Sequence, residues 1–162
     1  MKHSILLSLL LIISVCAFSQ ERFYRYYNSQ TKKHFYTANF DELGNGANGF
    51  VLEGVAGIVF GRPDQAPGLV PVYRFFNRDS GDHYYATRKY VPTENLPGYT
   101  MENITCYIFR SRMPGTMPLF EYYNARSADH FYTIDKTELG RGFDGFVLEG
   151  IIGFVYPKGT RF

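Results

Sequence analysis

Cysteine is scarce in this chain of 162 residues, and tryptophan is absent. The two cysteines are Cys16 and Cys106. Because Cys16 falls in an N-terminal segment that we expect to be removed, Cys106 would remain without a partner, and an internal disulfide is excluded. The folded domain must then be stabilised by packing, for which an aromatic content of 18% provides large side chains.

Charge of one sign is not in excess either, since the formal net charge is only +2. Lysine and arginine do not cluster along the chain. A nucleic-acid or anionic-membrane partner requires a basic face that neutralises phosphates. We therefore expect neither of these two partners.

Long apolar runs are confined to the N-terminus. Lys2 and His3 precede SILLSLLLIISVCAF, which is too short to span a bilayer, and small residues at Ala17 and Ser19 suit a cleavage site. The pattern predicts a signal peptide over residues 1–19 and a secreted, soluble domain over residues 20–162, without membrane insertion. Lipidation at Cys16 is disfavoured, because Val15 stands where a lipoprotein signal has a small residue.

Three copies of one sequence unit follow, at about residues 22–62, 71–112 and 118–157. Each copy contains an Asn, a His six residues later and a Glu nineteen residues after the His. The matched residues are Asn28, Asn77 and Asn124, then His34, His83 and His130, and then Glu53, Glu102 and Glu149. A period of 47 to 49 residues is typical of repeat folds, and we interpret the asparagines, His34 and the glutamates as structural determinants of the repeat.

The sequence of each copy predicts four short β-strands. In copy one, RFYRYYN and HFYTA flank a hairpin loop in which the Asn side chain is expected to form an Asx-turn. The segment GFVLEGVAGIVF provides two further strands, with a bend at Gly57. Twelve strands, with helical structure limited to turns at DELG and TELG, favour an all-β fold of three pseudo-equivalent four-strand units resembling a β-trefoil. A β-prism or a small propeller is the alternative, although propellers typically need at least four blades.

The repeated pattern of YYN, five residues and HFYT, followed by GFVLEG, resembles a secreted family of three-copy repeat domains of unknown function. Members of that family are often attached to secreted hydrolases or peptidases. The resemblance covers essentially all of residues 20–162 and implies a trefoil-like, carbohydrate-binding accessory role. Copy two departs from the pattern at Ala86 and Asn103, and copy one has Lys33 where the other copies have Asp.

Catalysis and metal binding are both disfavoured. Matched His and Glu residues could meet on a threefold axis as a metal site, but each His opens a strand directly after a hairpin loop. There its ring is expected to bond the loop backbone or the Glu of its own copy. Neighbouring Asp and His on a strand point to opposite faces and cannot form an oriented dyad without a bulge. We therefore expect no enzymatic activity, no metal and no cofactor.

Ligand binding is predicted at the hairpin loops of copies two and three. A sugar pocket combines a few polar groups with an aromatic ring, and each of these loops offers that combination. The candidate ligand-binding residues are Asp82, His83 and Phe76 in copy two, and Asp129, His130 and Tyr123 in copy three. Copy one is not expected to bind, because the Lys33 ammonium cannot accept a hydrogen bond.

The sequence as a whole predicts a secreted, monomeric, non-enzymatic module that binds carbohydrate. A matrix or protein-interaction role is the first alternative, with an extracellular protein as the partner, and a secreted enzyme or protease inhibitor is the second. Asn103 begins an NIT sequence and would be a glycosylation site in a eukaryotic host.

Overall fold

The chain forms an antiparallel all-β structure in the computed structural model, which describes residues 20–88 and 97–160. This part contains nine strands and two 3-10 turns, Phe40–Glu42 and Pro63–Gln65, but no α-helix. The strands are β1 (Gln20–Asn28), β2 (Lys33–Thr37) and β3 (Val51–Phe60) in copy one, β4 (Leu69–Asn77), β5 (Asp82–Ala86) and β6 (Tyr99–Phe109) in copy two, and β7 (Met117–Asn124), β8 (Asp129–Thr133) and β9 (Phe146–Val155) in copy three. The all-β prediction is confirmed.

The described range bears differently on the predicted signal peptide and on the predicted lack of membrane insertion. The predicted signal peptide at residues 1–19 lies outside the described residues. Within the described residues, no helix is long and apolar enough to cross a bilayer.

The three copies share one pairing scheme. The first strand of each copy lies between the other two, so that β1 pairs with β2 and β3, β4 with β5 and β6, and β7 with β8 and β9. Short bridges join the copies at the ends of their long strands, at Phe60 with Tyr107, Phe109 with Phe154, and Ile58 with Tyr156. The named strands form an open antiparallel sheet, and a trefoil arrangement is not confirmed.

The prediction of four strands in each copy is wrong, because the expected third and fourth strands form one continuous strand. Two register shifts take up the curvature where a break was expected. One shift leaves Glu53, Glu102 and Glu149 unpaired as bulged residues, which explains how a carboxylate fits into an apolar run. Gly57 continues β3, and a Cβ there would lie 2.6 Å from a methyl group of Val155.

The predicted hairpin turns are confirmed. The Asn28 side-chain oxygen accepts hydrogen bonds from the backbone N–H groups of Gln30 and Thr31, at 3.0 and 3.1 Å. Asn77 and Asn124 form the same Asx-turn in the other copies. Each turn fixes the residue at which the second strand begins.

The second strands of the copies meet at the centre of the molecule, where three tyrosines hold them together. The Tyr36 hydroxyl accepts a hydrogen bond from the Tyr132 N–H at 2.8 Å and donates one to the Tyr132 carbonyl at 3.0 Å. The Tyr85 hydroxyl bonds the Tyr36 backbone in the same way, and the Tyr132 hydroxyl bonds the Tyr85 backbone. This tyrosine ring satisfies backbone groups on the inner edges of three strands that do not pair with one another.

The core surrounds this tyrosine ring. Phe23, Val72 and Leu119 are fully buried against it, together with Cys106. Strict alternation along the first strand of each copy predicts that Tyr24, Tyr73 and Phe120 are core residues alongside Tyr26, Phe75 and Tyr122. The second trio is buried, but the first trio is only half-buried, because the twist at the bulges turns the preceding residue inwards.

Candidate functional site

The histidines of copies one and three are held by aspartates of a neighbouring copy. Asp129 accepts a hydrogen bond from the His34 backbone N–H at 2.8 Å and lies 2.7 Å from the His34 ring nitrogen Nδ1. Asp82 makes the same two contacts with His130, at 3.1 and 2.5 Å. The two aspartates are 1% and 0% exposed. Both carboxylates are therefore engaged inside the protein and position a histidine of another copy rather than the adjacent one.

Lys33 breaks this cyclic pattern. It is 5% exposed, and its ammonium donates hydrogen bonds to the backbone oxygens of Ser127 and Ala128. His83 thus lacks the aspartate that the other two histidines have, and its Nδ1 has no hydrogen-bond partner among the described residues. Burial, together with the charge of Arg74, lowers the pKa of His83 to about 4. The ring is therefore neutral at physiological pH.

Two aromatic rings enclose each histidine. The ring of the same copy lies against it at a tilt of 33° to 35°, with centroids 4.7 Å apart for Tyr27 and His34, 4.7 Å for Phe76 and His83, and 4.5 Å for Tyr123 and His130. A ring of the neighbouring copy approaches from another side, at 4.9 Å for Phe131 and His34, 4.8 Å for Phe35 and His83, and 4.9 Å for Tyr84 and His130. Each predicted ligand-binding histidine is thus packed between two copies.

An arginine completes the arrangement in copy one. The guanidinium carbon of Arg25 lies 4.8 Å from the centroid of the Phe131 ring. Glu138 accepts two hydrogen bonds from it at 3.1 Å, and Glu53 lies 2.9 Å from Nε without hydrogen-bond geometry. A cation is therefore held between an aromatic face and two carboxylates.

Arg74 has the same surroundings in copy two. Its guanidinium carbon lies 4.7 Å from the centroid of Phe35, and its nitrogens contact Glu102 at 2.7 Å and Glu42 at 2.8 Å. The bulged glutamates had been expected to pair with the His of their own copy. That contact is longer, 3.7 Å for both Glu53 with His34 and Glu102 with His83, so arginine is the main partner.

Copy three reverses the charge at this position. Glu121 replaces the arginine, while the bulged Glu149 and the neighbouring ring, here Tyr84, are retained. The Tyr132 hydroxyl donates a hydrogen bond to Glu121 at 3.2 Å. Burial raises the pKa of Glu121 to about 7. Over residues 20–88 and 97–160, neither Glu121 nor Glu149 forms an ion pair with lysine or arginine.

Two cavities of about 570 Å³ each open between neighbouring copies. The one–three pocket is lined by Tyr27, His34 and Glu53 of copy one and by Phe131, Phe143 and Asp144 of copy three. The two–three pocket is lined by Tyr84 and Tyr99 of copy two and by Glu121, Tyr123, His130 and Glu149 of copy three. Concave sites of this size, with aromatic walls and a few polar groups, are typical of small-ligand binding.

The predicted site residues divide between these pockets. Tyr123 and His130 line the two–three pocket, and Asp129 lies at the one–three pocket, whereas His83 and Phe76 pack together elsewhere. Asn103 is exposed on β6, and its glycosylation stays a prediction. No group of three or more potential metal ligands converges within the described residues.

Sequence reasoning missed two features of the pockets. Arg25, Arg74 and Glu121 share one face of the first strand in their copies and were not assigned to a site, although the charge reversal between copies was the available signal. Sequence reasoning also missed Phe143, which is 68% exposed at the one–three pocket. The matching position in copy one holds Ala47, so this difference between copies was again the signal.

Comparison with known proteins identifies a family but gives no activity. No curated protein and no solved structure matches the chain significantly. One family model, described as a domain of unknown function (DUF5648), matches residues 22–156 and thus spans all three copies. The chain therefore belongs to the DUF5648 family.

Proposed function

We propose that this protein is a secreted, non-enzymatic carbohydrate-binding module and that the one–three pocket holds the sugar. The observation on which the proposal rests is the exposed ring of Phe143 beside a concave, polar pocket. At the rim of a concave pocket, a ring that is 68% exposed offers apolar surface that a bound ligand can cover. Sugars present C–H faces that cover such rings and hydroxyls that need nearby hydrogen-bond partners.

The polar lining of the one–three pocket suits hydroxyl recognition. Glu53 and Asp144 provide acceptors, whereas Lys32 and Arg126 provide donors. Charges of both signs face the cavity, so its lining does not select for a strongly charged ligand. A neutral sugar can exchange hydrogen bonds with either kind of group.

The base of this pocket is held rigid, as a preformed binding site requires. His34 is fixed by Asp129 through both its backbone and its ring, and the Tyr27 ring lies against it. Asp129 is therefore a positioning group behind the pocket, whereas the sequence had placed it in direct contact with the ligand. Under this proposal the sugar contacts the rings and the exposed polar groups in front of it.

A glycan array on the purified full-length secreted protein, followed by titration calorimetry with the strongest neutral glycan, tests the proposal. Phe143→Ala should weaken binding about tenfold, because one ring stacking interaction contributes on the order of 1 kcal/mol. Met117→Ala is the matched control. Met117 is also an exposed apolar residue, but it begins β7, whereas the pocket is lined by Asn124 at the other end of that strand. Unchanged affinity in Phe143→Ala, or an array without any bound glycan, would reject the proposal.

A further inference from the structure

The two–three pocket differs from its counterparts in what occupies the position next to the bulged glutamate. In copies one and two an arginine of the chain lies over a ring of the neighbouring copy and between two glutamates. Copy three keeps the ring, as Tyr84, and the bulged carboxylate, as Glu149. The arginine itself is absent, and the two carboxylates, Glu121 and Glu149, line the cavity of about 570 Å³ between copies two and three.

The walls of this cavity suit a cation. Three tyrosines, Tyr84, Tyr99 and Tyr123, present aromatic surface, and Glu121 and Glu149 present carboxylates. Cations bind over aromatic faces and beside carboxylates, and both attractions strengthen when water is excluded. Tyr99 is held in place by a hydrogen bond from its hydroxyl to Asp82 at 2.5 Å.

We propose that the two–three pocket binds an organic cation of the guanidinium class supplied by a ligand, in the place that Arg25 and Arg74 fill in the other copies. The chain itself displays the geometry of this recognition twice, with guanidinium carbons 4.8 and 4.7 Å from the ring centroids. A planar guanidinium can stack on Tyr84 and bond a carboxylate with two N–H groups at once.

The charges around Glu121 support a vacant cation position. Burial raises its pKa to about 7. His130 and the hydrogen bond from Tyr132 act in the opposite direction, whereas the nearby carboxylates Glu149 and Asp82 raise the pKa further. Arg88, whose charge acts on Tyr84, is exposed and makes no ion pair with Glu121 or Glu149 within the described residues. A bound cation would offset the repulsion between the carboxylates.

Titration of the full-length protein with n-butylguanidinium and with n-butylurea, its neutral isostere, tests the inference. The parent should bind the cation saturably and bind the urea at least tenfold more weakly, because only the cation has the cation–π and charge attraction. Glu121→Gln should weaken binding of the cation by about tenfold. Glu121→Arg should abolish it, since the new side chain would fill the position as in copies one and two.

Two results would overturn the inference: equal affinity of the parent for the two probes, or undiminished binding of the cation by both Glu121 variants. Because Glu121→Gln removes only the charge, it decides the question even if Glu121→Arg does not fold. The neutral glycan of the one–three pocket serves as an independent reporter. Its affinity should be the same in the parent and in Glu121→Gln, so the failure of either proposal is recognised separately.

Discussion

Single substitutions between otherwise matched copies determine how the three histidines differ. Asp129 and Asp82 leave His34 and His130 with an acceptor at Nδ1, whereas Lys33 leaves His83 without one. The lysine ties copy one to the loop at Ser127 instead. Three aspartates at these buried positions would bring three negative charges close together, and a buried charge without a partner is costly. With Lys33 at this position, His83 has no carboxylate at Nδ1, but a third buried negative charge is avoided.

His83 should make the stability of the protein depend on pH. Its pKa is about 4 in the folded protein and about 6.5 in the unfolded chain. Between these values the unfolded chain binds a proton that the folded protein does not. The free energy of unfolding should therefore fall by up to about 3 kcal/mol as the pH falls from about 6.5 to about 4.

Chemical denaturation of the parent and of His83→Gln, from about pH 7.5 to about pH 4.5, checks this prediction. The difference between the two proteins cancels the other titrating groups, among which Glu121 acts in the opposite direction because its pKa is raised. The variant should gain stability relative to the parent as the pH falls. A constant difference across the range would show that His83 is not the group responsible.

Residue types alone could identify which positions matter, but they could not identify the partners. The recurring Asn, His and Glu were all found in the sequence, and the asparagines, His34, His130, Glu53 and Glu102 have structural contacts. The sequence grouped each Asp with the adjacent His as ligand-binding residues of one loop, however, whereas each carboxylate contacts a histidine of another copy. Alternation along a strand sends Asp129 and His130 in opposite directions, so each must contact a different neighbour. Only the three-dimensional order of the copies shows which neighbour it is.

At the scale of the strand and its turn, each copy repeats an asparagine that bonds both sides of a loop. Its oxygen accepts from two N–H groups, and its amide donates to a backbone carbonyl twenty residues later. A glycine packs against the asparagine in all three copies: Gly49, Gly98 and Gly145 have φ angles of 82°, 85° and 86°. A Cβ on these glycines would lie 2.7 to 3.2 Å from the asparagine amide nitrogen.

Substitution of this asparagine should therefore cost different amounts in different copies. Asn124 is buried. Asn77 is half-buried, and the hydrogen bond from its side-chain amide to the Pro97 carbonyl is exposed to solvent. Asn124→Ala should lower the free energy of unfolding by about 2–3 kcal/mol and Asn77→Ala by about 1 kcal/mol, since unsatisfied groups cost more away from water. Denaturant titrations of the two variants form a matched pair. An equal loss, or a larger loss for Asn77→Ala, would contradict this explanation.

The same elements show how far a strand pattern can be predicted. The first two strands of each copy end within two residues of their predicted bounds, because the Asx-turn fixes the loop between them. The third strand was divided at glycine, although Gly57 and Gly153 stay within the ladder and serve close packing. A glycine in an apolar run can mark either a bend or a close approach. The sequence alone does not indicate which chain segment packs against the glycine.

At the scale of the whole molecule, the fold is stabilised mainly by contacts between the copies. The tyrosine ring passes from Tyr36 to Tyr132 to Tyr85 and back, so every bond in it crosses a boundary between copies. The Asp–His contacts and the bridges between the long strands cross the same boundaries. A hairpin with one additional strand cannot bury its apolar face alone, and the stability of this fold therefore resides between the copies.

Removing one copy should consequently abolish folding, whereas changing the order of the copies should not. A chain of residues 20–112 lacks Tyr132 and Asp129, so the Tyr85 backbone loses the Tyr132 hydroxyl and His34 loses its carboxylate. A circular permutant keeps every one of these contacts if it begins at Arg112, joins Thr160 to Gln20 and ends at Ser111. Ile58 lies between Arg22 and Tyr156, so these two residues are about 10 Å apart, and residues 157–160, a linker of about four residues and residues 20–21 together span that distance. Thermal melts should show a cooperative transition for the permutant and none for residues 20–112. A cooperative melt of the two-copy chain near the temperature of the parent would show instead that each copy pair is stable by itself.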